Sequence, residues 1–435
     1  MSLMKQKSVG RKLILNLLVL TRKYPAIPYL IKWILISLIL GGLVGTASAG
    51  FLSSLEWVTQ FREQHLWIVA LLPIAGLLIG LLYHYYGKDV AGGNNLLIET
   101  IHQPGRRIPF KMTLFVYLGT IATHLFGGSA GREGTALQMA GGIADQLTKP
   151  FRLSIEDRKT LIIAAVAAGF GSVFGTPLAG AIFALEFFLV GRLRYNAIFP
   201  AFASAILASL ITNFLGAAHT HYHIDIIPKI SFLNLIYAVV AGVIFGLCAA
   251  TFSKGLRYSS RLFKDKIKYA PLRPFVGGII LVLLIWSLGT TKYTGLGIPT
   301  IVESFDGPVP VYSFAIKMLL TILTLSAGFK GGEVTPLFFI GATLGSALSM
   351  FIPLPVALLA GMGFVAVFAG ATNTPIACIL MAMELFGSQS GVYVAIACIV
   401  SYLSSGHNGI YGKQIIGEVK HYRFSNFENK RINDL

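Results

Sequence analysis

Charge is scarce in this chain of 435 residues: Asp, Glu, Lys and Arg together make up 12%, against 55% hydrophobic residues. A soluble domain needs more polar surface than that, so the composition points to a polytopic membrane protein. Cysteine is scarcer still. Cys248, Cys378 and Cys398 all lie in apolar runs and have no metal-ligand spacing, which excludes a disulfide framework and a cysteine metal site and leaves them as small packing residues. No buried Ser or Cys is matched to a suitable His, so a membrane hydrolase is not supported and no enzyme activity is expected. Nothing in the sequence calls for a cofactor.

Acids are outnumbered, 18 Asp and Glu to 35 Lys and Arg, for a net charge of +17. Nucleic acid is not the expected partner, because the basic residues sit in connections and tails: Lys5–Lys12, Arg22-Lys23, Arg106–Lys111, Lys149–Lys159, Arg192 and Arg194, Lys254–Lys268, and Lys413–Arg431. That distribution reads as positive-inside topology and contact with anionic lipid headgroups. It places both termini in the cytoplasm of a multi-pass protein of the inner or plasma membrane. Ala47-Ser48-Ala49 mimics a signal-peptidase site, but the long apolar run around it favours an uncleaved first membrane helix.

Long uninterrupted apolar runs are also few. Met112–Phe126, Phe275–Leu288, Pro336–Phe351, Val356–Ala369, Pro375–Phe386 and Val392–Tyr402 all fall short of the roughly 20 residues that cross a bilayer. Ile31–Phe51, Leu66–Tyr83, Leu161–Val190, Ala197–Leu215, Phe232–Phe252 and Tyr312–Phe329 are the other runs. Short, Gly- and Pro-cut spans are tolerated only where the loose backbone is buried in protein or lines a cavity.

The polar stretch His219–Lys229 divides two halves that echo one another. Phe170–Glu186 and Phe368–Glu384 share Thr-Pro and a terminal Glu at matching places; upstream, Ser129-Ala130-Gly131 before Glu133-Gly134-Thr135 is echoed by Ser326-Ala327-Gly328 before Glu333-Val334-Thr335-Pro336. The expected organisation is a segment 1–28, a first membrane repeat 29–216, a connector 217–230, a second repeat 231–415 and a tail 416–435. Repeated halves with broken helices mark transporters and channels, whose substrates bind where helix N-termini converge.

Three Gly-rich helix starts fit that description: Gly92-Gly93-Asn94-Asn95, Gly131-Arg132-Glu133-Gly134-Thr135 and Gly331-Gly332-Glu333-Val334-Thr335-Pro336. Each offers free backbone N–H groups and a positive dipole end, suited to a small dehydrated anion. No Lys or Arg is expected inside such a cage, because a fixed cation would hinder release. Taken singly, each segment is equally readable as a flexible loop. Glu133 is the sharpest residue. Its carboxylate competes with an anion for the same donors and leaves the site when protonated, making it a candidate gate and proton carrier; the alternative is a structural pair with Arg132. For Glu186 and Glu384 a helix-end hydrogen bond is the preferred reading, and for His102, His124 and His407 ordinary hydrogen bonding rather than ligation.

The ordered set resembles the CLC family of anion channels and anion/proton antiporters over almost the whole membrane part. Gly131-Arg132-Glu133-Gly134 is similar to the motif carrying that family's external gating glutamate, Gly331–Pro336 sits where the family has Gly-x-Phe-x-Pro, and Tyr411 falls where it has a central pore tyrosine. The resemblance implies an all-α CLC fold of two inverted repeats and a homodimer with one pore per subunit. Chloride-type members usually have Gly-Ser-Gly-Ile-Pro where this chain has Gly93-Asn94-Asn95-Leu96-Leu97, Pro where it has Thr135, and an apolar residue where it has Glu333. These departures resemble the fluoride-exporting branch. They imply Asn94 in place of the anion-contacting serine, Glu333 and Thr335 beside Glu133 on the pathway, and Tyr411 at its inner end. The position of the internal proton-carrying glutamate of chloride exchangers is Phe187, which also fits that branch and leaves Glu333 as the second acid.

The expected function is therefore a fluoride/proton antiporter that exports fluoride, with Gly93, Asn94, Asn95, Gly131, Arg132, Gly134, Thr135, Val334, Thr335 and Tyr411 around the anion. A CLC-type chloride/proton exchanger or a passive chloride channel is the alternative. The chemistry agrees in direction. An amide offers two N–H donors where a hydroxyl offers one O–H. At roughly 1.5–3 kcal/mol per hydrogen bond to a charged partner, one extra donor shifts anion preference about tenfold or more. Extra donors also hold chloride or nitrate, so this step does not separate the ions.

Overall fold

Helices that change direction at glycine and proline make up this chain. The computed structural model describes residues 26–435 except 106 and 221. The basic stretch through Lys23 lies outside the described residues, as do Arg106 and His221.

In the first half, α1 (Ala26–Gln64) is followed by α2 (Leu72–Tyr85), α3 (Asn94–His102), α4 (Lys111–Leu125), α5 (Glu133–Leu147), α6 (Ile155–Phe174), α7 (Pro177–Glu186) and α8 (Ile198–Phe214). In the second, α9 (Phe232–Lys266) is followed by α10 (Leu272–Leu288), α11 (Ile298–Asp306), α12 (Ser313–Ala327), α13 (Val334–Leu348), α14 (Val356–Thr372), α15 (Pro375–Phe386) and α16 (Gly391–Ser404). The lengths run in parallel: 39, 14, 9, 15, 15, 20, 10 and 17 residues, then 35, 17, 9, 15, 15, 17, 12 and 14. Two short parallel strands, β1 (Leu189–Val190) and β2 (Ile415–Ile416), tie the end of the second half to the first.

Several boundaries differ from the apolar runs. Leu161–Val190 reads as one span but breaks between α6 and α7, because Gly175 is left-handed at φ 73° and Pro177 opens the next helix. The first run continues to Gln64, and Phe232–Phe252 continues to Lys266. Ala47-Ser48-Ala49 lies inside α1, where the Ser48 hydroxyl meets that of Ser172 at 2.8 Å.

The centre is occupied by α6 from Leu161 onward, α14 and α13, predominantly apolar on all sides and buried along nearly their whole length. Gly341 of α13 and Gly363 of α14 bring those two helices backbone to backbone; a Cβ on either would strike the other's carbonyl. Around this centre, Leu35, Phe214, Phe232 and Trp286 project apolar side chains outward, 55%, 88%, 81% and 80% exposed. Among the described residues four helical stretches are long and apolar enough to cross a membrane by length and composition: Ala26–Gln64, Leu66–Tyr85, Tyr195–Phe214 and Phe232–Lys266.

Glu186, at the end of α7, accepts hydrogen bonds from Ile376 N and Ala377 N at the start of α15, at 3.3 and 2.8 Å. Glu384, near the end of α15, accepts from Leu178 N and Ala179 N at the start of α7, at 3.0 and 2.8 Å. Each carboxylate satisfies the free N–H groups and the positive end of the other half's helix, as the helix-end reading of these acids expects. The two helices therefore run antiparallel.

Candidate functional site

Two helix starts are fastened together at the middle of the protein. Gly131 N donates to Gly332 O at 2.6 Å and Gly332 N to Gly131 O at 2.7 Å, an antiparallel bridge immediately before α5 and α13. Only glycine permits it. A Cβ on Gly131 would lie 2.8 Å from Pro336 Cδ and 3.0 Å from Glu133 Oε2. The third start, α3, follows Gly93 at φ 57°, a conformation that favours glycine. All three meet at Gly134, where a Cβ would fall 2.9 Å from Asn94 Nδ2, 3.0 Å from Gly332 Cα and 3.3 Å from Glu333 Oε2.

The bridge sets a register that the sequence echo misses. Gly131 pairs with Gly332, so α5 begins at Glu133 and α13 at Val334. By that register Glu333 answers to Arg132 and Thr335 to Gly134, one residue off the match between the two Glu-x-Thr triplets. One residue is about 100° of helix rotation, and the two threonines face different ways. Thr135 is buried with its hydroxyl 2.7 Å from that of Thr120 on α4. Thr335 faces Glu133.

Glu133 is fully buried. Thr335 N donates to its Oε2 at 3.0 Å, and Thr335 Oγ1 lies 2.6 and 2.7 Å from its two oxygens. Arg132 N donates to Oε2 at 3.2 Å, and Arg132 Nε stands 3.5 Å from Oε1. The Glu133 carboxylate is thus the anion at the N-terminus of α13. Charge-assisted bonds to backbone and hydroxyl donors hold it there, and the pair with Arg132 is present as well.

Beside this gate is a chamber of about 180 Å³ lined by Gly93, Asn94, Asn95, Gly331, Glu333 and Tyr411, among others. Asn94 Oδ1, Glu333 Oε2 and Tyr411 Oη face buried surroundings with no hydrogen-bond partner among the described residues. Buried polar atoms are paired as a rule, so these three give the chamber wall hydrogen-bonding capacity that the described protein atoms leave unused. Asn95 is differently engaged: its Oδ1 accepts from Lys413 N at 3.1 Å. Tyr411 is 1% exposed and meets the Phe187 ring edge-on at 4.8 Å. Val334 is buried at the start of α13, and Arg132 lines a separate small cavity on the Glu133 side. The chamber continues into a wider vestibule of about 780 Å³, rimmed by Lys88, Arg257, Arg261, Lys264 and Arg273, with Glu333 its one acid among the described residues.

Two lining residues escaped the sequence reading. Gln138, one turn into α5, donates from Nε2 to Gly134 O at 3.1 Å and lines the chamber. Lys330, directly before Gly331, lines both chamber and vestibule, with its ammonium 3.8 Å from the centre of the Tyr83 ring. It pairs with no carboxylate among the described residues. A lysine that the sequence reading did not single out thus lines the approach to the three helix starts. The signal was a Lys between the end of the apolar run at Phe329 and the Gly331-Gly332 pair. The histidines carry ordinary hydrogen bonds, His102 Nε2 with Phe188 O at 3.2 Å, His124 Nε2 with Gly131 O at 3.5 Å, and His407 Nε2 accepting from Lys420 N at 3.1 Å. Among the described residues no cluster of His, Cys, Asp or Glu has the makings of a metal site.

Comparison with known proteins agrees with this geometry. The family model for voltage-gated chloride channels matches residues 75–406. The chain belongs to the CLC family. A chloride/fluoride channel protein of Pseudomonas syringae pv. tomato is 50% identical over 403 residues, spanning 91% of this chain and 89% of that protein. The crystal structure of a CLC-type fluoride/proton antiporter matches with a TM-score of 0.86 at 37% identity, over 90% of this chain and 98% of that one. A slow cyanobacterial Cl⁻/H⁺ antiporter shares the fold at a TM-score of 0.74 and 20% identity, over 86% and 94% of the two chains. The protein is thus an all-α, multi-pass CLC membrane protein of two inverted repeats. Within the CLC fold, the antiparallel Gly131–Gly332 bridge and the reciprocal caps of α7 and α15 are contacts between the repeats.

Proposed function

We propose that this CLC protein is a fluoride/proton antiporter that exports fluoride from the cytoplasm. The observation that carries the reading is the Glu133 carboxylate seated on Thr335 N and Oγ1 at the start of α13, next to a chamber of unpartnered polar atoms. A proton arriving from outside neutralises Glu133 and removes the charge that the helix N-terminus holds. The side chain leaves, and fluoride takes the same donors. Glu333, on the other side of the Gly131–Gly332 bridge, receives the proton and passes it to the vestibule. Asn94 and the backbone at Gly93, Gly134 and Val334 surround the anion, and Tyr411 closes the inner end. Phe187 supports this route, since it puts an aromatic ring where chloride exchangers carry an acid.

The proposal extends to assembly and place: a homodimer in the inner or plasma membrane, among anionic lipids, with both termini cytoplasmic and repeats at 29–216 and 231–415. The resemblance to the fluoride/proton antiporter and the chloride/fluoride channel protein supports it.

The test uses purified protein in liposomes loaded with fluoride or chloride, with an ionophore setting the voltage. Fluoride efflux well above chloride efflux, with uphill proton uptake, is the expected result. Equal efflux of the two anions would sink fluoride selectivity, and anion flux that cannot drive protons uphill would make the protein a channel.

Lys330 has its own expected effect. A unit charge about 6 Å away, at an effective dielectric of about 20, is worth about 3 kcal/mol to an anion. Lys330→Met keeps the stem and removes that attraction. Fluoride efflux at low internal fluoride should fall by about a hundredfold and recover as fluoride is raised, a KM effect without loss of coupling. A maximal rate that falls with KM unchanged would place Lys330 elsewhere in the cycle.

A further inference from the structure

The connector between the repeats is a polar stretch that the transport reading leaves unused, and it does not run free. His219 Nε2 is 3.0 Å from Ser172 O at one end, and Tyr393 Oη donates to Pro228 O and Lys229 O at 3.2 and 3.0 Å at the other. Between these anchors Ile224, 8% exposed, sits where α14 has only a glycine: a Cβ on Gly361 would lie 2.7 Å from Ile224 Cδ1.

Tyr222 is the residue that this clamping delivers inward. It is 9% exposed, and its ring packs on Phe305, Phe364 and Phe386 with centroids 5.1, 5.3 and 6.0 Å away. Phe364 in turn stacks on Phe338 at 4.0 Å and 12°. On the far side of this aromatic wall is a cavity of about 20 Å³ against Glu133, which Tyr222 lines together with Arg132, Thr335, Phe338 and Phe364. That is room for about one water molecule. The face of Glu133 turned away from the vestibule thus meets a narrow pocket, one wall of which is a side chain from the connector.

We propose that Tyr222 is the outer closure of the pathway: a positioning residue whose ring seals the mouth on the Glu133 side while the carboxylate rests on Thr335. Coupled exchange requires that the two sides never open together. With the inner side open through the chamber and vestibule, the seal at Tyr222 keeps fluoride from passing except when Glu133 has moved. The proposal rests on the antiport reading and adds to it the device that holds the outer side shut.

The experiment reconstitutes full-length Tyr222→Ala, Tyr222→Leu and Tyr222→Phe and measures fluoride efflux and proton uptake together at fixed voltage. Tyr222→Ala should keep or raise fluoride efflux and lower protons moved per fluoride about threefold or more, Tyr222→Leu should fall between, and Tyr222→Phe, which restores the ring, should stay within about twofold of wild type. Wild-type coupling in Tyr222→Ala overturns the closure. So does a Phe variant as uncoupled as the Ala variant, or loss of all transport in all three, which would assign Tyr222 to folding alone. Wild-type protein that moves no protons with fluoride would instead sink the antiport reading, so the two failures are told apart.

Discussion

Glu133→Gln, reconstituted in liposomes, will carry fluoride without driving protons uphill. The substitution keeps the shape of a side chain that is fully buried, so the fold around it has no cavity to fill. What changes is chemistry. The carboxylate now accepts from Thr335 N, Thr335 Oγ1 and Arg132 N; an amide has one acceptor oxygen and presents its N–H₂ to the remaining donors. Hydrogen bonds to a charged acceptor are worth about 1.5–3 kcal/mol each, against about 1 for a neutral one, so two weakened bonds loosen the gate by a factor of about ten or more. The amide also has no proton to give. The expected readout is proton uptake at the background of empty liposomes together with measurable fluoride efflux. Uphill proton movement at the wild-type ratio would remove Glu133 from the proton's path.

Glu333→Gln should produce the second large loss, on the other side of the same bridge. Its Oε2 is buried without a partner, an expensive arrangement for a permanently ionised group and a natural one for a group that takes up and releases protons. Gln preserves the packing against Gly134 and the contact with the vestibule. The number of protons moved per fluoride should fall about tenfold or more. Fluoride and proton fluxes both at wild-type values would leave Glu333 as lining only. The two variants also differ in the direction of their leak. The gate variant loosens the outer end, whereas the Glu333 variant leaves Glu133 seated on Thr335.

Much of this was legible in the residues. Glycines followed by Asn, Glu or Pro marked the starts of α3, α5 and α13 because few other sequences let a helix begin inside apolar surroundings. The repeat was legible from Thr-Pro and its trailing Glu. Register was not. Glu133-Gly134-Thr135 and Glu333-Val334-Thr335 look alike in the chain, yet the Gly131–Gly332 hydrogen bonds offset them by one residue, and that offset turns Thr335 onto Glu133 and Thr135 onto Thr120. Pattern matching reads residue types, and only the backbone pairing says which of them share an angle. Lys330 was missed for a related reason. A lysine at the edge of an apolar run reads as a span end, whereas here its stem runs along Gly119 and its ammonium rests over Tyr83 at the neck between chamber and vestibule. The break between α6 and α7 was hidden because both sides of Gly175 are equally apolar.

The exchanged caps of α7 and α15 bear on how such a molecule comes to exist. Neither half contains the carboxylate that its own short helix needs; Glu186 serves Ala377 and Glu384 serves Ala179. A single half is therefore incomplete at a defined point, and what completes it is a second half turned upside down. Two copies of one half-length chain, meeting antiparallel, would make both contacts at once with the same residues. Fusing them into one polypeptide keeps that mutual dependence and frees each copy to diverge, so that one came to carry the gate at Glu133 and the other Thr335, the residue on which the gate rests.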